Sequence, residues 1–264
     1  MMQTYNSHRM LILALSVLLS TKTFHTNAFS SNPSQLPRKI TTTTVLHAEN
    51  AREPWDVLRF VRQSSKFVRP PNPFRTAATT AKVIQPGDVL WSATSPSSSS
   101  SKMTWAPLDD VVMGGVSSST FDNNTGQWSG VVSATNNGGF VGIRTTPFAT
   151  PLDLSSCKGI EFRTRGGGNG KRFKAVLRDS TEFNGICWTS SFDAPKGAKG
   201  GTVRLPFAKM IPTIFAKTVE GKTLLKENVV GFQLAYSKFE YDGGLNPKFE
   251  LGDFSLQVLE IRAY

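Results

Sequence analysis

The chain has 264 residues, 39% of them hydrophobic and 19% charged, with a formal net charge of +11. That length holds one large domain or two small ones with a real core, and the apolar share excludes wholesale disorder. Two cysteines exclude a disulfide scaffold or a Cys-rich zinc module, and the three histidines, His8, His25 and His47, all lie in the first 50 residues.

If that amino-terminal stretch is removed, no histidine is left for Ser–His, Cys–His or His–metal chemistry. Its organisation is that of an address. His8 and Arg9 precede the apolar run 10–19, about half of the roughly 20 residues that a spanning helix needs. Small residues follow, with Thr26-Asn27-Ala28 as a cleavage site, so 1–28 reads as a signal peptide. Residues 29–48 contain Arg38 and Lys39, are rich in Ser and Thr, and precede the first acid, Glu49. That composition is transit-like, and Phe29 directly after the cut resembles the aromatic residue that opens bipartite plastid presequences. The expected destination is a plastid, with simple secretion or a mitochondrion as the alternatives.

Residues 49–101 read as a short helix and a Pro/Ser-rich linker. Pro54 at a helix start, with Trp55, Leu58 and Val61 spaced as one face, predicts a short amphipathic helix that packs on the domain. Arg59 and Arg62 on it leave open a peripheral membrane contact through 54–62. Pro70, Pro71 and Pro73 break any continuation, and Ser95-Pro96 with the serines of 97–101 reads as a linker or surface loop.

From Trp105 onward the period changes to two. Ile160, Phe162 and Thr164 alternate with charged residues, as do Phe173, Ala175 and Leu177. Ile186, Trp188 and Phe192 line a third run, and Val230, Phe232, Leu234 and Tyr236 a fourth. Phe254, Leu256 and Val258 open the last, where Leu259 and Ile261 suggest a bulge or burial on both faces. With 128–135, 140–145 and 202–205 this makes about eight strands separated by Gly, Pro and Asn turns. The pattern predicts one all-β domain, 102–264, built as an antiparallel sandwich or jelly roll.

The charge is dispersed. Residues 1–50 contribute +3, 51–100 contribute +4 and 101–264 contribute +4. The densest basic group, Arg163, Arg165, Lys171, Arg172, Lys174 and Arg178, spans what reads as a hairpin, where alternate residues could form a basic stripe. No aromatic RNA-binding motif accompanies it, so a nucleic-acid partner is weakly supported. Gly166-Gly167-Gly168-Asn169-Gly170-Lys171 fails as a phosphate loop, because the first Gly would fall at Arg165 and Arg172 replaces the Ser or Thr.

Asp109-Asp110 precedes Val111-Val112-Met113-Gly114-Gly115. Adjacent strand residues point to opposite faces, so the two carboxyls converge on a cation only in a turn. The preferred reading has Asp110 accepting from backbone N–H groups and fixing the turn, with Gly114 and Gly115 serving positive φ or close approach. Asn136-Asn137-Gly138-Gly139-Phe140 reads as a hairpin connection, and Arg144 beyond it as an ion-pair partner or ligand contact. No acid pair or nucleophile–base set emerges, and no cofactor is implied. Cys157 and Cys187 are expected as reduced thiols.

Trp105-x-x-Leu108-Asp109-Asp110-Val111-Val112-Met113-Gly114-Gly115-Val116-Ser117, followed by Asn137-Gly138-Gly139-Phe140-x-x-x-Arg144, resembles the complex I intermediate-associated protein 30 family. Arg163-Thr164-Arg165-Gly166, Lys171-Arg172-Phe173, Leu205-Pro206-Phe207 and the closing 254–261 fit the same family, and the resemblance covers about 102–264. The longer turn at 166–170 departs from the Gly-Asp-Gly usual in relatives. The resemblance implies a galactose-binding-like jelly roll. It also implies a non-catalytic, chaperone-like assembly factor for a membrane electron-transfer complex, either complex I-like or photosynthetic. Its candidate contact residues here are Asp109, Asp110, Met113, Gly114, Gly115, Asn137, Gly138, Gly139, Arg144, Arg163, Arg165, Lys171 and Arg172. Two rivals carry their own requirements. A carbohydrate-binding module needs an exposed platform from Trp105, Trp128 and Trp188, and a plastid RNA-associated factor needs the basic stripe.

Overall fold

The computed structural model describes residues 54–68, 80–94 and 103–264. The stretch 1–48 read as an address, the prolines at 70–73 and the serine run at 97–101 lie outside the described residues. Among those described, one helix, α1 (Val57–Ser64), precedes fifteen strands. They are β1 (Lys82–Val83), β2 (Val89–Ser92), β3 (Trp105–Pro107), β4 (Ser118–Asp122), β5 (Gln127–Val132), β6 (Phe140–Thr145), β7 (Leu152–Asp153) and β8 (Gly159–Thr164). There follow β9 (Arg172–Arg178), β10 (Cys187–Asp193), β11 (Gly201–Pro206), β12 (Ile211–Ile214), β13 (Lys217–Thr218), β14 (Gly231–Ser237) and β15 (Gly252–Ala263). No described helix is long and apolar enough to cross a membrane.

Seven strands form one antiparallel sheet in the order β13-β12-β10-β9-β14-β6-β3, and the facing sheet runs β11-β8-β15-β5-β4, with β2 added beside β15. The all-β sandwich expected from the alternation is the observed architecture. Its organising strand is β15, twelve residues long. The first half of β15 pairs with β5, and the second half lies between β2 and β8. A register shift between Val258 and Glu260 lets both halves turn their apolar side chains inward, which is the bulge that Leu259 announced.

The core forms where the inner faces meet. Trp128 and Phe254 of one sheet pack on Phe173 and Tyr236 of the other, with Trp128–Phe254 centroids 4.9 Å apart and Trp128–Phe173 5.9 Å apart. Phe162 stacks across the interior on Phe192 at 6.2 Å. Such rings bury large apolar areas at low entropic cost and add edge and offset interactions. Trp128 Nε1 is buried without a hydrogen-bond partner. Trp128→Phe is therefore expected to cost less than about 1.5 kcal/mol in urea unfolding, because the unpaired donor leaves with the lost ring volume.

Three expectations change here. First, β8 and β9 do not pair: β8 lies between β11 and β15, and β9 between β10 and β14, so residues 166–170 pass from one sheet to the other. Second, the Asn136–Phe140 connection also changes sheets, because β5 pairs with β4 and β15 whereas β6 pairs with β3 and β14. Neither glycine-rich turn is a hairpin. Third, the sandwich takes in residues from before 102: β2 pairs with β15, and its Trp91 packs on Trp105 and Phe121.

Candidate functional site

The sequence around Asp109-Asp110 folds as an extended residue entering a 3-10 turn, Asp110–Met113, that ends in Gly114 with φ of +83°. A left-handed residue at that point suits glycine. The two carboxyls leave in different directions. Asp110 accepts from Ser117 N at 3.0 Å, Ser117 Oγ at 2.6 Å and Gly139 N at 3.0 Å. It thereby bolts the turn to the Asn136–Phe140 crossover, an attachment reinforced by Asn136 Nδ2 donating to Gly114 O at 2.9 Å. The backbone comes so close that a Cβ on Gly115 would lie 2.3 Å from Asp110 Cγ, and one on Gly138 2.5 Å from Oδ2. Asp110 has the turn-fixing role expected of it, and Gly114 and Gly115 take one each of the two duties anticipated.

Asp109 faces the helix. It accepts from Ser119 Oγ at 2.6 Å, Arg59 Nη2 at 3.0 Å and Gln63 Nε2 at 3.1 Å, while its own N–H donates to Gln63 Oε1 at 3.0 Å. Burial raises the Asp109 carboxyl above its ordinary value, and the Ser119, Gln63 and Arg59 contacts oppose that rise. With donors on every side, the pair offers no cation its lone pairs. Among the described residues, no group of three His, Cys, Asp or Glu side chains is placed to hold a metal ion.

The helix is held by a period-four row. Trp55 Nε1 donates to Val111 O at 2.8 Å, Arg59 also donates to Ser117 O at 2.7 Å, Gln63 reads Asp109, and Phe67 is buried on Ala106 and Leu108. The helix starts at Asp56, whose carboxyl accepts from Arg59 N at 2.8 Å. The face expected to pack, Trp55 with Leu58 and Val61, is divided by this arrangement. Trp55 reaches Val111, but Leu58 is 84% exposed, and Val57 and Val61 are exposed with it. Met113, on the turn that receives the helix, is 69% exposed. The signal missed in the sequence was the spacing Trp55-x-x-x-Arg59-x-x-x-Gln63-x-x-x-Phe67, a half-polar row whose partner is the buried Asp109.

Arg144 lies on the outer face of the seven-stranded sheet, its guanidinium 5.4 Å from the Phe67 ring centroid and 5.6 Å from that of Phe183. The other basic candidates are scattered by the sheet crossing. Arg163 approaches Glu260 at 3.9 Å, Arg172 is 2.7 Å from Asp193, and Lys171 pairs with Glu250. Arg172 and Lys248 pull Asp193 down to about 2. Arg165 is exposed. Lys174, lowered to about 8 by burial, donates to Phe239 O at 2.6 Å. The stripe expected across a hairpin is thus absent, because its two halves belong to different sheets. Asn137 is exposed with φ of +61° at the crossover. Trp105, Trp128 and Trp188 are all buried, so they form no platform for sugar rings.

The sandwich carries a helix clamped to one of its loops, with an exposed apolar strip beside that clamp. The chain belongs to the complex I intermediate-associated protein 30 family, whose model matches residues 92–258, from the end of β2 into β15. Comparison with curated protein sequences finds no match. Among solved structures, the chain is similar to a family 11 carbohydrate-binding module from Clostridium thermocellum in complex with a beta-1,3-1,4-mixed-linked tetrasaccharide. The identity is 15%, over 61% of this chain and 88% of that one, with a TM-score of 0.40. It is also similar to an exo-beta-agarase at 13% identity, over 67% of this chain and 25% of that one, with a TM-score of 0.38. Likenesses at these values carry no argument about ligand. The matched family is linked to complex I assembly and is not a catalytic one.

Proposed function

We propose that the protein is a chaperone-like assembly factor that binds a subunit or intermediate of a membrane electron-transfer complex of the NADH dehydrogenase type, in a plastid reached through the bipartite presequence. Family membership supports the assembly role, and the exposed face of α1 carries the mode of binding. Val57, Leu58 and Val61 of α1, with Met113 nearby on the receiving turn, present large apolar side chains to solvent on a helix held by an ion pair from partly exposed Arg59 to buried Asp109. Exposed apolar surface on a pre-ordered element is what a client segment can cover without a further ordering cost. Arg62 of α1 and Lys66 just beyond it are exposed, so the matching client segment is apolar with acidic flanks.

The test is co-purification of tagged full-length protein from its own cells, with and without ribonuclease, against a Leu58→Glu/Val61→Glu variant. Both positions are exposed, so the variant folds as the parent does. Ribonuclease-resistant enrichment of complex subunits, reduced at least tenfold in the variant, is the expected result. The identity of those subunits decides between plastid and mitochondrion. Equal enrichment by parent and variant would remove the helix face from the binding mode, and partners lost on ribonuclease treatment would replace the assembly reading with an RNA-linked one.

A further inference from the structure

Several basic side chains in this fold pair with an acid, and buried Lys174 is held by the Phe239 carbonyl, but two buried arginines stand side by side with no acid for either. Arg144 of β6 and Arg178 of β9 are 3% and 2% exposed on the outer face of the seven-stranded sheet. No carboxylate among the described residues forms an ion pair with either. What meets them is the β9–β10 loop. Arg144 Nη1 donates to Phe183 O at 3.3 Å, and Arg178 Nη2 donates to Glu182 O. Arg178 Nη1 rests on Cys187 Sγ at 3.0 Å, and Arg178 Nε is buried with no hydrogen-bond partner. Two guanidinium groups withdrawn from water onto neutral acceptors are costly, because buried charge is ordinarily compensated by an opposite one. Burial and the neighbouring Arg178 pull Arg144 down to about 9.

The two arginines line a crevice with Thr145, Ser180 and Thr181. Ser180, Thr181 and Val230 also line a wider cleft of about 290 Å³, walled by Phe148, Pro151, Asn228 and Asp179, whose carboxylate accepts from Trp188 Nε1 at 2.7 Å and Leu225 N at 3.1 Å. We propose that Arg144 and Arg178 form a receptor for an oxyanion, a carboxylate or phosphate group that enters from this cleft. The guanidinium fork presents paired N–H donors that match two oxygens of such a group, and the Ser180 and Thr181 hydroxyls border its path. The crevice is closed by the loop carbonyls, so binding lifts residues 180–185 and exchanges two neutral acceptors for a charged one. The inference is independent of the assembly role and of the α1 surface.

The experiment uses the purified full chain in two arms, inorganic phosphate and the carboxylates acetate and succinate, each against sodium chloride at equal ionic strength. A saturable rise in melting temperature of several degrees is expected in at least one arm, with one-to-one stoichiometry by calorimetry. The arm that saturates identifies the oxyanion. Arg144→Gln and Arg178→Gln should each abolish the rise, while Arg204→Gln, which alters an exposed arginine, should retain it. Hydrogen exchange of the parent supplies a readout that needs no variant: protection across 180–185 should change on ligand addition. No effect beyond that of chloride in either arm, or a rise that persists in both arginine variants, overturns the proposal.

Discussion

Replacing Asp110 with alanine should lower the stability of the domain by about 3–5 kcal/mol, or roughly 10 °C in melting temperature. Three short hydrogen bonds end on this one side chain, from Ser117 N, Ser117 Oγ and Gly139 N, and all are buried. Truncation leaves Ser117 and Gly139 N–H groups without an acceptor in a place where the backbone has closed in, as the distances at Gly115 and Gly138 demonstrate. Asp110→Asn should recover only part of the loss, because one oxygen remains and the new amide group faces donors. Equilibrium urea unfolding of the three proteins checks the order. A loss under about 1 kcal/mol for the alanine variant would mean that the crossover is held by other contacts.

The second large effect is expected at Arg59. Arg59→Met keeps much of the aliphatic stem but leaves Asp109 buried and without its cation, a situation that costs about 3 kcal/mol. The dependence on pH gives the cause away. Burial already holds the Asp109 carboxyl above its ordinary value. A carboxyl raised in the folded state binds its proton more readily there than in the unfolded chain. Its favourable contribution is therefore complete below the unfolded value of 3.8 and is lost as pH climbs through the folded one. Losing Arg59 raises the folded value further, so the deficit of the variant against the parent should grow as pH rises from below 3.8 towards neutrality. A deficit that does not change with pH would assign Arg59 a packing role only. The same variant should expose α1 to proteolysis between 54 and 68 while the sandwich resists.

Strand identity was legible in the residues and strand partnership was not. Alternation in 160–164, 173–177 and 230–236 reports a half-buried surface, and that is a local property. A Gly–Asn turn reports only that the chain changes direction. Whether the next strand pairs with the last or passes to the facing sheet depends on which edges are free and which rings meet across the core. Phe162 and Phe192 face each other from opposite sheets because the turn at 166–170 crosses over, and nothing in that turn's composition distinguishes the two cases. Short strands such as β1 and β13, of two residues each, leave no period to read.

The docking of α1 follows polar rather than apolar spacing. Apolar spacing predicts Trp55, Leu58 and Val61 as the packing face, yet Arg59 and Gln63 are the residues that dock, since a buried carboxyl needs donors more than the helix needs to hide Leu58. The glycines after Asp109-Asp110 announce a turn, but the partner of Asp109 lies some 50 residues upstream, beyond any local motif. The exposed face that remained is the one on which the proposed function rests.

The placement of β15 also governs when the sandwich can assemble. It is the last of the fifteen strands, and yet it lies at the middle of its sheet, with β5 and β2 along one edge and β8 along the other. Until it arrives, β8 and β5 have no common neighbour, and the inner ring of Trp128, Phe173 and Tyr236 lacks Phe254. Non-local pairings of this kind form slowly, because the loop must close before the contact rewards it. A chain emerging amino-terminus first, from a ribosome or through a membrane pore, therefore stays open and threadable until its final strand is free. The six-stranded sheet then closes last, whereas every strand of the facing sheet is already made.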